Sequence, residues 1–261
     1  MYTWDQRDVL CQEIVEFMKR EPDFEGLLQI GSGVVGYRDI YSDIDLMAGC
    51  WDEESVMAAN GKLNAFFEGK GAVYINRRRW SRVVLGMSVY FENGLSADIS
   101  FMPTNAVQLR NKECKVLFSK SERFSIQIAE DIKKLEELPK LYGVDDTIHH
   151  QFVYALRRCE IAVLRGEYIY AEMALSEARR YLLYVEAALE GKKLHQFKQF
   201  QSLKENFREE LQKTYPANLN QKSMEQCEKY LLEMYLKTIE KCDFLKFDSV
   251  QRKLLNCFRE N

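Results

Sequence analysis

Apolar residues recur along this chain with two different periods, and the change from one to the other falls near Gly143. Before it, short apolar runs alternate with amphipathic stretches. Thr3-Trp4-Asp5-Gln6 reads as a capping box opening a helix with Val9, Leu10, Ile14, Val15 and Met18 on its apolar side, ending near Pro22. Leu27 to Ile30 reads as a short buried strand, and Glu53 to Phe67 as a second helix. Gly71 to Asn76 is another strand, and Val83–Phe91 and Leu95–Phe101 are two β runs joined around Glu92-Asn93-Gly94, where Asn-Gly is a strong hairpin signal. After Gly143 the spacing becomes three and four residues throughout, predicting helices at Thr147–Arg165, Tyr168–Glu190, Gln201–Thr214, Ser223–Cys242 and Ser249–Arg259. The expected fold class is therefore α+β. A small mixed sheet with helices occupies residues 1–142, and a four- or five-helix bundle occupies residues 143–261.

The connection between the first strand and the next carries the chemistry. It reads Gly31-Ser32-Gly33-Val34-Val35-Gly36-Tyr37-Arg38-Asp39-Ile40-Tyr41-Ser42-Asp43-Ile44-Asp45. On an extended strand side chains alternate, so Asp43 and Asp45 point the same way while Ile44 and Leu46 face the core. Two convergent carboxylates suit Mg2+, which takes hard oxygen ligands and is usually held by one or two carboxylates together with substrate phosphate oxygens. The absent ligand is then a nucleotide. Exposed amides at the Gly31-Ser32 turn make a local anion site, to which the Ser32 hydroxyl adds a donor.

These residues resemble the nucleotidyltransferases of the DNA polymerase beta superfamily, in which a Gly-Ser turn precedes Asp-x-Asp. The likeness covers roughly the first half of the chain and is best to the small bacterial enzymes with a helical second half, such as aminoglycoside and lincosamide nucleotidyltransferases. It implies an N-terminal nucleotidyltransferase fold and a third carboxylate from a later strand, for which Asp98 is the match. It further implies attack by an acceptor hydroxyl on the α-phosphate of a nucleoside triphosphate, ATP by expectation, with release of pyrophosphate. Asp43, Asp45 and Asp98 are the expected ligands of two Mg2+ ions, and Asp98 is also the candidate catalytic base. Gly31, Ser32, Arg38 and Ser42 are the expected nucleotide-contacting set. The helical half would help to hold a small hydroxyl-bearing acceptor, and a homodimer stays among the expectations. A transferase acting on RNA or protein, and a non-catalytic nucleotide-binding scaffold, stay open as alternatives.

Other motifs say less. Gly31-x-Gly33-x-x-Gly36 spells a dinucleotide-binding fingerprint, but the segment before Asp43 leaves no room for the helix that fingerprint must open. No Gly-Lys-Ser or Gly-Lys-Thr occurs, which argues against a P-loop. Arg77-Arg78-Arg79 with Arg82 reads as a solvated face. His149 and His150 are adjacent, pointing about 100° apart on a helix; they cannot share one site, and solvation at the helix start is expected. Tyr168, Tyr170, Tyr181 and Tyr184 fall at helical spacings and are expected to pack.

Charge and cysteine usage narrow the class further. The net charge is −3, and acidic and basic residues are nearly balanced on both sides of Gly143, which disfavours a nucleic-acid partner. Seven cysteines form no Cys-x-x-Cys pair, as in a reduced cytoplasmic protein. No signal peptide or bilayer-length apolar run is read, so no membrane association is expected.

Overall fold

The computed structural model describes residues 2–36, 41–110, 112–137, 144–192 and 200–256. The chain divides into two compact units, Met1–Leu138 and Pro139–Asn261. The boundary expected at residues 142 and 143 lies outside the described residues.

The first unit is built on a six-stranded mixed sheet. Its strands are β1 (Phe24–Gln29), β2 (Ile44–Cys50), β3 (Ala72–Arg79), β4 (Leu85–Phe91), β5 (Ser96–Pro103) and β6 (Lys115–Ser119), in the order β3-β4-β5-β2-β1-β6. All neighbours are antiparallel except β2 and β5, which run parallel with Asp45 directly opposite Asp98. Three helices accompany the sheet: α1 (Trp4–Arg20), α2 (Glu53–Gly69) and α3 (Glu122–Glu137).

The capping box predicted for α1 is present: the Thr3 hydroxyl accepts from the Gln6 amide and the Gln6 side chain accepts from the Thr3 amide. α1 and α2 cover one face of the sheet. Leu10, Ile14 and Met18 of α1 and Val56, Ala59, Leu63 and Phe67 of α2 pack there with Ile44, Leu46, Ala48, Met87, Val89, Ala97 and Ile99 in one continuous core. On the opposite face α3 lays Phe124 and Ile128 over Leu28, Met102 and Val107. The sequence pattern assigns no element to residues 105–137. They instead hold β6, which adds to the outer side of β1, and α3, whose Phe124, Ile128, Ile132 and Leu135 belong to that second core.

The second unit is helical, with α4 (Thr147–Leu164), α5 (Tyr168–Leu189), α6 (Glu205–Gln212), α7 (Gln221–Ile239) and α8 (Ser249–Asn256). α6 is shorter than the spacing predicts, because residues 200–202 form a separate 3-10 turn. One apolar core runs through this unit, including Phe152, Leu156, Leu175, Leu182, Leu231 and Tyr235. Tyr168, Tyr181 and Tyr184 pack against it, whereas Tyr170 is exposed and accepts hydrogen bonds from Arg158. His149 departs from the expected solvation. It is buried, with Nδ1 3.0 Å from the Tyr235 hydroxyl and Nε2 3.1 Å from the Lys246 carbonyl oxygen. Burial pushes its pKa down. Among the described residues no helix is long and apolar enough to cross a membrane.

Candidate active site

Sheet register decides which side chains share the face opposite α1 and α2. Residues directly opposite one another on neighbouring strands project to the same side. Asp45 on β2 faces Asp98 on β5, Asp98 faces Ser88 on β4, and Ser88 faces Asn76 on β3. A polar row therefore crosses four strands, on the face away from Ile44, Leu46 and Met87. Asp43 stands just before β2 begins at Ile44 rather than inside the strand. It still joins the row, and one carboxylate oxygen from each of Asp43, Asp45 and Asp98 lies within 4.8 Å of the others. All three are at least partly exposed to water. The Ser88 hydroxyl donates to Asp98 Oδ1, which orients that carboxylate. Three hard oxygen donors in this space fit a divalent cation, and among the described residues no histidine or cysteine joins the group.

The Gly-Ser turn lies against the same carboxylates. Residues 31–35 form a 3-10 turn directly after β1, and the Ile30 amide donates to the Asp45 carbonyl oxygen at 3.1 Å. Gly31 has φ +68°, and a Cβ there would overlap Asp45 Oδ2 and come within 3.0 Å of Asp45 Cγ. Only a residue with no side chain lets the backbone turn so close to this carboxylate. Ser32 follows on the turn, partly exposed. Arg38 lies outside the described residues.

The strand entry is fastened from α1. The carbonyl oxygen of Ser42, one residue before Asp43, accepts from the Tyr2 hydroxyl at 3.0 Å and from Arg7 Nη1 at 3.4 Å. Arg7 is fully buried on the apolar side of α1, in line with Leu10, Ile14 and Met18, and its guanidinium lies 4.6 Å from the centre of the Trp4 ring. Sequence reasoning named neither Tyr2, Arg7 nor Ser88. For Arg7 a signal existed: it occupies a core position of the helical period, and a buried cation there implies a specific acceptor. Arg77, Arg78 and Arg79 are exposed on β3, the outer strand, three strands away from β2.

Comparison with known proteins finds 20 similar solved chains, among them the following two. An aminoglycoside 6-adenyltransferase from Bacillus subtilis is 14% identical, with a TM-score of 0.41 over 100% of both chains. A nucleotidyltransferase-like protein from Exiguobacterium sibiricum is 12% identical, with a TM-score of 0.40 over 92% of this chain and 77% of that one. This chain is similar to both. No family model and no curated protein matches.

Proposed function

We propose that this chain is a magnesium-dependent nucleotidyltransferase that moves a nucleoside monophosphate, AMP from ATP, to a hydroxyl of a small molecule and releases pyrophosphate. One observation carries the reading: the Asp43, Asp45 and Asp98 oxygens converge within 4.8 Å beside a glycine turn that closes onto Asp45. Asp43 and Asp45 would hold the metal, with Asp98 completing the set. Bound there, Mg2+ supplies charge stabilisation to the attacking and leaving oxygens of an in-line displacement.

The chain's own residues do the rest. Close approach of the Gly31 turn to Asp45 would set its amides beside the triphosphate tail, and Ser32 and Ser42, with Arg38, contact the nucleotide. Asp98, oriented by Ser88, takes the proton from the acceptor hydroxyl as its oxygen bonds to the α-phosphorus. The bond from that phosphorus to the bridging oxygen breaks, and pyrophosphate leaves with the electron pair. Residues 1–142 serve as the nucleotidyltransferase domain and the helical residues 143–261 help to hold the acceptor. An aminoglycoside or a lincosamide is the acceptor that the sequence resemblance implies.

The test is pyrophosphate release from each nucleoside triphosphate, with magnesium and a panel of antibiotics of both classes. Release that requires acceptor and magnesium, and that vanishes in Asp43→Asn while the unfolding curve stays in place, is the expected result. Full turnover by Asp43→Asn overturns the assignment.

A further inference from the structure

The three aspartates lie between two unlike flanks. On the β1 side stands the turn at Gly31, packed against Asp45. On the β4 side stands Ser88 and, beyond it, an exposed indole. Gly86 lies two residues before Ser88 on β4 and opposite Ser100 on β5, so a side chain at position 86 would rise from the same face as the aspartates. In that direction a Cβ on Gly86 would meet Cη2 and Cζ3 of Trp80 at 2.5 Å. The six-membered ring of Trp80 therefore rests on the bare backbone of Gly86, one step along the strand from the Ser88–Asp98 pair. Two residues of strand and one inter-strand spacing put it about 8 Å from Asp98.

Trp80 is 58% exposed although it is seated on the sheet. Its loop is built rather than slack: the Trp80 amide donates to the Val84 carbonyl oxygen at 3.0 Å, and the Ser81 hydroxyl accepts from the Val83 and Val84 amides at 3.2 and 3.1 Å. A large ring held in place with much of its surface in water has area left over for a ligand.

Resting on the nucleotidyl-transfer reading above, we infer that Trp80 is the stacking surface for the acceptor, and that the acceptor is a ring-bearing polyol whose flatter, apolar face packs on the indole. In-line displacement supplies the side. Attacking and leaving oxygens lie opposite one another across the phosphorus. Pyrophosphate held at Gly31 and Ser32 leaves towards β1, so the hydroxyl arrives from β4, past Ser88 and Trp80. Asp98 lies at that end of the carboxylate set and receives the proton.

The experiment compares Trp80→Ala, Trp80→Phe and Gly86→Val with the wild-type chain. Kanamycin and lincomycin are the ring-bearing probes and mannitol is an open-chain polyol. Calorimetry measures binding of each probe and of MgATP, and pyrophosphate release gives kcat and KM for the probe that turns over. The expected result is a KM and a dissociation constant for the ring-bearing probe that rise about tenfold in Trp80→Ala, as for loss of one aromatic stacking contact. Trp80→Phe recovers most of this, and the MgATP dissociation constant stays within about twofold throughout. Gly86→Val, which removes the ring's seat and leaves the indole in the chain, behaves like Trp80→Ala. A tenfold loss of MgATP affinity in Trp80→Ala would show that the base stacks there and would overturn the inference, as would unchanged probe binding, or probes that bind no better than mannitol. A wild-type chain that binds no nucleoside triphosphate in magnesium would instead fail the underlying reading.

Discussion

Replacing Gly31 by alanine separates two roles that this glycine combines. Its φ of +68° lies in the left-handed region, where a side chain carries a penalty of about 1–2 kcal/mol. The added methyl would also overlap the Asp45 carboxylate, forcing that side chain off its rotamer for a further ~1 kcal/mol. Gly36 is the comparison, because a Cβ there meets nothing within 4 Å among the described residues, although its φ of +78° with ψ of 133° lies outside the left-handed helical well and costs a side chain about 1–3 kcal/mol. Both variants should therefore lose about 1–3 kcal/mol in urea unfolding through the backbone. Only Gly31→Ala should lose magnesium-dependent ATP binding, by tenfold or more, an effect of about 1.4 kcal/mol in calorimetric titration. Equal ATP affinity in the two variants would refute the claim that close approach of the turn to Asp45 builds the site.

Three further outcomes are expected. Ser88→Ala removes a hydrogen bond to the Asp98 carboxylate and should lower kcat/KM by about tenfold, an effect of about 1.4 kcal/mol, with little change in Tm; an unchanged rate would mean that Asp98 needs no orienting partner. Glu25 has a fully buried side chain whose pKa burial pushes up, but Arg123, Ser121 and Thr104 donate to it and together hold it below the usual carboxylate range. Glu25→Ala should destabilise by about 1–3 kcal/mol, since Arg123 is half exposed and can turn to water while the Thr104 hydroxyl loses a buried acceptor, and the stability that Glu25 contributes is present above the unfolded carboxylate pKa and lost as pH falls through its native one; stability of the variant equal to wild type at pH 7 would contradict this. Glu228, half-buried on α7, is pushed up to about 8 by desolvation and by nearby Glu160 and Glu225. Its contribution is fully present below the unfolded pKa and is lost as pH rises through about 8. Glu228→Gln should accordingly gain stability relative to wild type between pH 5 and pH 9 in urea titrations, and a constant difference would contradict the shift.

Much of the fold could be read locally because the signals are local. Thr3 and Gln6 mark a helix start on their own, and Asn93-Gly94 marks a hairpin without reference to the rest of the chain. The alternation around Asp43 and Asp45 places Ile44 and Leu46 in the core, as found. β6 and its partner β1 are far apart in sequence, and a five-residue outer strand offers too few positions for a period to show. α3 did carry a legible stripe at Phe124, Ile128, Ile132 and Leu135. The alignment of Asp45 with Asp98 depends on β2 and β5 running parallel across α2, β3 and β4, a register that no short motif encodes. His149 is buried because Tyr235 and the Lys246 carbonyl, both distant in sequence, satisfy its two nitrogens. Trp80 escaped notice for a related reason: its seat is a glycine on the next strand.

On the proposed reading, Asp43, Asp45 and Asp98 hold a metal–nucleotide complex. Calorimetric titration of the wild-type chain and of Asp45→Asn with ATP, in magnesium and again with the metal chelated, tests it most directly. The expected result is binding that needs magnesium and disappears in the variant. Nucleotide binding that survives both chelation and Asp45→Asn would contradict it.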